Sequence, residues 1–282
     1  MGMSTHDVVT LSTIAHWFEK RRGIMTGIVK VGTAAGQFTI PPIAAFLLIT
    51  HGWRPAFMMM GLGAIVLLLV AAWAIGGPSA TTDSDSTKSM SGYSFTEARR
   101  TRTFWVFCAI QFLFIPSLAT IPLHIVVHGM DLGMTATVAA ALISTMALSS
   151  VLARLAVGSF FDRVGGKGAL ILCLVPLLAS LLALLVVNTH NSLFAVIVVY
   201  GFAHGGLFTV MSPVVAEYFG LKAHGALFGS IIFFGAISGS VAPVLAGYIF
   251  DTTGSYSMAF NFLIAMASSG LILTLVLPKR RP

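Results

Sequence analysis

Long segments without a charged residue constrain this chain more than any other feature. They cover residues 31–53, 55–82, 103–130, 132–153, 168–216, 223–250 and 252–278. A helix needs about 20 apolar residues to cross a bilayer, so the segment at 168–216 is long enough for two, joined by a polar turn. Only 9% of the residues are charged, against about 25% in soluble proteins. The sequence therefore predicts an all-α polytopic membrane protein with eight spans and a shorter, more polar ninth.

The placement of the positive charges predicts how these spans are oriented. The predicted spans are 3–18, 24–50, 54–77, 104–128, 133–158, 168–187, 192–216, 224–249 and 256–277. If they alternate in direction, almost all of the 16 lysines and arginines fall in one set of loops, and Arg54 alone falls in the other. Since cytoplasmic loops carry the excess of positive charge, we expect a cytoplasmic C-terminus in a plasma membrane, of the bacterial inner-membrane kind. The net charge of +7 then indicates topology, and we expect the lipid bilayer, and no nucleic acid, as partner.

The chain also contains an internal repeat, which predicts two similar halves. A glycine pattern recurs after 202 or 203 residues: Gly23, Gly27, Gly32 and Gly36 correspond to Gly225, Gly229, Gly235 and Gly239. The second half has six predicted spans and the first has three. If the halves are equal, about 100 residues and three spans are expected upstream; the alternative is a natural nine-span protein.

A motif at the end of the fifth predicted span resembles the signature of a known family. The stretch GSFFDRVGGK at 158–167 resembles the Gly-x-x-x-Asp-Arg-x-Gly-x-Lys signature of the major facilitator superfamily. The resemblance implies a fold of two parallel six-helix halves. According to this resemblance, residues 1–78 are the last three helices of the N-terminal half, 79–102 are a cytoplasmic linker, and 103–282 are the complete C-terminal half.

The residues of this motif have separate expected roles. Gly158 lets a neighbouring helix come close, Asp162 faces helix N-termini, and Arg163 and Lys167 hold the loop at the cytoplasmic face. The resemblance implies that the motif, which includes Gly165, is a gate that stabilises one access state. The alternative is a simple turn that obeys the positive-inside rule.

Further stretches are similar to the monocarboxylate and oxalate–formate transporter branch. These are 17–28, 41–57, 100–105, 124–133, 153–163 and 200–220. The resemblance implies transport of small organic anions, in several members together with a proton. The oxalate–formate type carries a lysine in the helix that corresponds to 224–249, and this chain has none there, so oxalate itself is not expected.

Lys30 is the first candidate for anion binding. It lies eight residues beyond Arg22, about 12 Å along a helix, and a lysine at that depth is costly. Helical spacing places Gln37 on the same face, whereas Gly32 and Gly36 are predicted to form the face that packs closely on another helix. The alternative is that Lys30 extends back to the headgroups.

Arg154 is the second candidate, at a similar predicted depth. The resemblance implies that an arginine of this helix contacts the substrate carboxylate, and its planar donor set suits that group. We expect Lys30 and Arg154 to hold one anion from both sides. The alternative is a structural bond from Arg154 to backbone carbonyls.

The other candidates are weaker. Asp7 is a candidate partner of Lys30 or proton-coupling group, with an unanchored terminus as the alternative. His204 shares a helix face with Tyr200, and we consider both for substrate binding and His204 for proton transfer; a packing role is the alternative. His124 joins Gln111 and Gln37 as a pathway candidate. No enzyme, cofactor or metal motif is present in the sequence.

The sequence thus predicts a secondary transporter of a small monocarboxylate-like anion, coupled to protons, monomeric, and working by alternating access. One alternative is a proton-driven exporter of amphipathic compounds on the same fold. The other is a membrane component that does not transport.

Overall fold

The computed structural model describes residues 2–18, 21–74 and 92–278, and the regular structure of these residues is helical apart from one isolated bridge between Gly92 and Gly220. The prediction of an all-α protein is confirmed. Most of the predicted linker and the basic residues 279–281 lie outside the described residues. The side chain of Gln37, one of the candidates, also lies outside them.

The helices follow the uncharged segments of the sequence. They are α1 (Gly2–Trp17), α2 (Arg22–His51), α3 (Trp53–Ala74), α4 (Phe95–Ala98), α5 (Arg102–Asp131), α6 (Ala136–Leu184), α7 (His190–Phe219), α8 (His224–Thr253) and α9 (Ser257–Val276). Among the described residues, six helices are long and apolar enough to cross a membrane, namely α3 and α5 to α9. The protein is therefore a multi-pass membrane protein.

Helix α6 contains two of the predicted spans. It runs over 49 residues, but Gly165 interrupts it with a non-helical backbone at φ 77° and ψ 174°. Glycine adopts this region without the steric penalty of a Cβ atom. The first arm of α6 therefore ends inside the motif, and the second arm starts directly after it.

Threonines start three of the long helices. Thr101, Thr135 and Thr189 each accept a bond from the backbone N–H three residues ahead, at the start of α5, α6 and α7. Such a cap satisfies one of the N–H groups that have no partner within the helix, and it is worth about 0.5–2 kcal/mol. The bounds of these helices are therefore set locally, by polar residues at the ends of apolar segments.

The chain divides into two compact units, residues 1–34 with 91–282 and residues 35–90. In the first unit, α6 packs along α7, and α5 packs along α8 and α9. Gly205 of α7 lies against Ser150 of α6, where a Cβ atom would be 2.2 Å from the Ser150 carbonyl oxygen. The second unit, residues 35–90, contains the rest of α2 and all of α3. Most described side chains of α3 are exposed apolar groups, as suits a helix in a bilayer.

The glycines of α2 that pack closely are not the predicted ones. Nothing among the described residues lies within 4 Å of a Cβ atom built at Gly32 or Gly36. A Cβ atom at Gly23 would be 2.3 Å from the Gly158 carbonyl oxygen, and one at Gly27 would be 2.3 Å from that of Arg154. Among the described residues, α2 therefore contacts α6 through Gly23 and Gly27, on the side of the helix opposite Gly32 and Gly36. The packing face at Gly32 and Gly36 stays a prediction.

Candidate functional site

A cavity of about 190 Å³ lies between α1, α2, α5, α7 and α8. By comparison, a water molecule occupies about 30 Å³ of the liquid, so the cavity has room for a small organic molecule. Its lining is mainly apolar and includes three phenylalanines. The lining residues are Asp7, Leu11, Lys30, Gln111, Phe114, Ile115, Leu118, Ala119, Leu207, Phe208, Met211, Phe228, Ile232, Gly235 and Ala236.

The charged groups of this lining are a lysine and an aspartate that form an ion pair. Lys30 Nζ donates to Asp7 Oδ1 at 2.6 Å, and Lys30 is only 3% exposed. The ammonium group also lies 5.8 Å from the centre of the Phe208 ring, within the range of a cation–π contact. An isolated charge in apolar surroundings is very unfavourable, so Asp7 stabilises the buried position of Lys30.

Arg154 lies behind Lys30 and outside the cavity lining. Its Nη1 donates to the backbone carbonyl of Lys30, and its side chain is buried at 2% exposure. Arg154 Nε has no hydrogen-bond partner among the described residues. The structure thus places Lys30 and Arg154 next to each other but gives Arg154 a backbone partner. A grip on one anion from both sides stays a prediction.

His204 and Tyr200 are buried beside the cavity without lining it. The His204 ring centre is 4.9 Å from that of Phe208, and His204 Nδ1 is 3.5 Å from Ser150 Oγ. The Tyr200 hydroxyl donates to the Ser117 carbonyl oxygen at 3.0 Å. His204 is therefore linked to the cavity through Phe208, whereas the Tyr200 hydroxyl is engaged in bonding α7 to α5.

His124 belongs to a different part of the molecule. Its ring nitrogens lie 3.1 Å from the Tyr256 hydroxyl and 3.1 Å from the Pro243 carbonyl oxygen. It therefore connects α5 with α8 and with the start of α9. The structure does not bring it to the cavity that Lys30 lines.

Most of the lining residues are apolar side chains that the sequence did not predict as site residues. Phe114 and Phe228 supply aromatic walls, and Gln111, considered only as a pathway candidate, lies in the lining with them. Apolar residues in apolar helices give no individual signal in a sequence. Gln111 does give one, because it is a polar residue near the middle of an uncharged segment.

The motif residues lie at the contact between α2 and α6. The backbone N–H groups of Gly23 and Ile24 donate to the two carboxylate oxygens of Asp162, at 2.9 and 3.2 Å. A Cβ atom at Gly158 would be 2.5 Å from the Gly23 carbonyl oxygen. The expected close approach at Gly158 and the expected helix N-terminus at Asp162 are thus both observed. The gating role of the motif stays a prediction.

Residues at the end of the motif form hydrogen bonds to two other helices, α7 and α9. Lys167 Nζ donates to the carbonyl oxygens of Leu275 and Leu277 at the end of α9, at 2.7 and 2.6 Å. Directly after the break at Gly165, the Gly166 N–H donates to a Glu217 carboxylate oxygen at 2.6 Å. Arg163 is exposed. Sequence reasoning missed Glu217, because its only signal was an acidic residue at the end of an apolar span.

The family model of the Major Facilitator Superfamily matches residues 1–141 and 129–282. The chain belongs to this superfamily. A solved structure of a Major Facilitator Superfamily transporter, FucP, in the outward conformation is similar with a TM-score of 0.66 at 15% identity, covering 95% of this chain and 72% of that one. The predicted superfamily fold is thereby confirmed.

Its relatives within the Major Facilitator Superfamily carry transporter names. Monocarboxylate transporter 13 of Bos taurus is 29% identical over 270 residues, and monocarboxylate transporter 11 of Mus musculus is 26% identical over 302 residues. They cover 94% and 96% of this chain, which spans 63% of the length of each. An uncharacterized transporter, YycB of Bacillus subtilis, is 26% identical over 276 residues, with 94% of this chain and 65% of that protein covered. The predicted resemblance to monocarboxylate transporters is confirmed, and the relatives are transporters, not enzymes.

Proposed function

We propose that the protein is a secondary transporter of small carboxylates that moves them together with protons by alternating access. The observation that carries the proposal is the Lys30–Asp7 ion pair in the wall of a mainly apolar cavity. The names of its monocarboxylate transporter relatives support the same class of substrate. The distribution of positive charge supports a cytoplasmic C-terminus. The proposal places the protein, as a monomer, in a plasma membrane of the bacterial inner-membrane kind.

The ion pair suits an exchange of carboxylates. Asp7 offers Lys30 the kind of group that the substrate also carries, and a charge-assisted bond of this kind is strong in an apolar cavity. A substrate carboxylate that replaces Asp7 at the ammonium group leaves Lys30 satisfied. The Asp7 carboxylate would then lose its charge-assisted bond to Lys30.

Protonation of Asp7 accompanies the loss of this bond in the proposed cycle. A proton taken from water neutralises the Asp7 carboxylate, and the substrate anion takes its place beside Lys30. The cavity pair is neutral when empty, since Lys30 and Asp7 balance, and it is also neutral when one proton and one monoanion are bound. Reorientation of either form then moves no net charge across the membrane, where each charge would otherwise cost about 2.3 kcal/mol per 100 mV.

The motif is proposed as the cytoplasmic gate of this cycle. The bonds from Gly23 and Ile24 to Asp162, and the glycine contact at Gly158, hold α2 against α6. Opening towards the cytoplasm requires these helices to separate. Because Lys30 and Arg154 lie along the same two helices, opening of the gate also changes the surroundings of Lys30.

The test is uptake of labelled carboxylates by liposomes that contain the purified protein. An acidic exterior should drive accumulation, and a membrane potential imposed with potassium and valinomycin should not change its rate. Asp7→Asn should abolish accumulation driven by the pH gradient, while Asp251→Asn, at an exposed acidic residue of α8, should retain it. Uptake that ignores the pH gradient, or no uptake of any carboxylate, would refute the proposal.

The aromatic lining favours one second candidate, a proton-driven exporter of amphipathic compounds. Phe114, Phe208 and Phe228 offer flat apolar contacts that suit such compounds. On this candidate, neutralising Asp7 abolishes transport but neutralising Lys30 or Arg154 does not. On the carboxylate proposal, loss of Lys30 is at least as damaging as loss of Asp7.

A further inference from the structure

Gln111 of α5 is a polar residue of the cavity lining that the cycle above does not use. It is 5% exposed, and its Oε1 atom is buried without a hydrogen-bond partner among the described residues. Buried polar atoms are nearly always paired, because an unpaired one loses its bonds to water without replacement. The oxygen itself is buried, but the Gln111 side chain lines the cavity, so a turn of its amide would bring the oxygen to a partner that enters there.

Gly235 of α8 makes room for this amide. A Cβ atom at Gly235 would be 2.8 Å from Gln111 Cγ and 3.2 Å from its Nε2 atom. A side chain at this position would therefore displace Gln111, together with Ile115, whose Cγ1 atom would be 2.9 Å from the same Cβ atom. The absence of a side chain on α8 and the unpaired amide on α5 are separate observations that concern the same corner of the cavity.

We infer that Gln111 is a specificity-determining residue that binds a hydroxyl group of the substrate, which rests on the function proposed above. A carboxamide both accepts and donates hydrogen bonds, and a hydroxyl group can use both. Lys30 holds the carboxylate, and Phe114 and Phe208 contact an apolar body. Since Lys30 is the one cation in the described lining, a second carboxylate would lack a partner. The class of ligand is a hydroxylated monocarboxylate with an aromatic or branched apolar body.

Mandelate and phenylacetate test this inference, because they differ by one hydroxyl group. Their uptake by the full chain in liposomes should show a preference of about tenfold for mandelate, the effect of one hydrogen bond. Gln111→Leu should remove the preference by slowing mandelate uptake alone, and Gln111→Met is the second variant if the first does not fold. A merely structural role of Gln111 would slow both acids equally, and that result, or an unchanged preference, overturns the inference.

Two alanine variants on α8 form a matched pair for the same assay. Gly235→Ala displaces the Gln111 amide and should reduce the preference for mandelate. Gly239→Ala places its Cβ atom 2.7 Å from Ile115 Cγ2 and should keep the preference. An equal loss in both variants contradicts the role of Gln111. If the wild type transports no small carboxylate, both the proposed function and this inference fail. If it transports both acids without a preference that depends on Gln111, only this inference fails.

Discussion

Two regions of this protein hold charged groups in contact with apolar helices, and they satisfy those charges differently. In the cavity, Lys30 and Asp7 pair with each other as side chains. In the motif, Asp162 and Lys167 bond to backbone groups at the start of α2 and the end of α9. A backbone partner cannot leave without moving its helix, whereas a side-chain partner can be exchanged for a ligand. The difference separates a site built for exchange from one built to hold helices together.

Arg154 shows how this comparison assigns a residue. It lies beside Lys30, and its resemblance to a substrate-binding arginine suggested a place in the cavity. Its guanidinium instead bonds to the Lys30 backbone carbonyl, a partner of the same kind as those of the motif. In this state Arg154 therefore joins α2 to α6, and contact with a substrate would require that joint to open.

The largest expected effect is on the exchangeable pair. Lys30→Ala removes the cation that holds the substrate anion, and it removes the ion pair with Asp7, whose side chain is 32% exposed. Carboxylate uptake should fall by at least about a hundredfold, and the melting temperature of the purified protein should also fall. The double variant Lys30→Ala with Asp7→Ala should recover the melting temperature but not the uptake. Uptake that survives in Lys30→Ala would place the site elsewhere.

The next effect tests the packing between α2 and α6. Gly27→Ala places a Cβ atom 2.3 Å from the Arg154 carbonyl oxygen, which is backbone and cannot turn away. We expect a loss of about 1–3 kcal/mol, typical of overpacking. Gly32→Ala, on the same helix but with no atom of the described residues within 4 Å of its Cβ atom, should be neutral or slightly stabilising. Thermal unfolding of both variants measures the difference, and equal melting temperatures would contradict the contact.

These glycines also show what a sequence can and cannot reveal. Uncharged segments define the helices, because the bilayer demands about 20 apolar residues from each span. The spacing of Gly32 and Gly36 matches that of Gly23 and Gly27, and spacing within one helix does not say which face meets a neighbour. That depends on the rotation and depth of both helices, which many small contacts decide together.

The same limit applies to the site. Lys30 and Asp7 each stand out as charges in apolar segments, so the sequence identifies them as candidates. Their pairing requires α1 and α2 to place both side chains at one depth, which the sequence suggested but did not require. The sequence marks Gln111 only as a polar residue in an apolar segment, and the structure adds Gly235 beside it and an oxygen without a partner among the described residues.

A smaller effect is expected at the motif. Asp162→Ala removes both bonds to the start of α2, and a lost cap costs about 1–2 kcal/mol. The population of the state with separated α2 and α6 should rise about 5–30-fold. A cysteine at Thr26, which is 2% exposed, reports this as faster thiol labelling in a background without Cys108 and Cys173. Asp251→Ala is the control. An unchanged labelling rate in Asp162→Ala would contradict the gating role of the motif.

The smallest effect is expected at the end of α9. Lys167→Met removes the bonds from Nζ to the carbonyl oxygens of Leu275 and Leu277, and a cation at a helix C-terminus is worth about 0.3–1 kcal/mol. The melting temperature should fall by about 1–3 °C, with no change in the KM for carboxylate. Lys222→Met removes an exposed charge and should shift neither quantity. A changed KM in Lys167→Met would show that the α9 contact is coupled to the cavity. Lys167 would then act on substrate binding, and the distinction between exchangeable charges and charges held by the backbone would not apply to it.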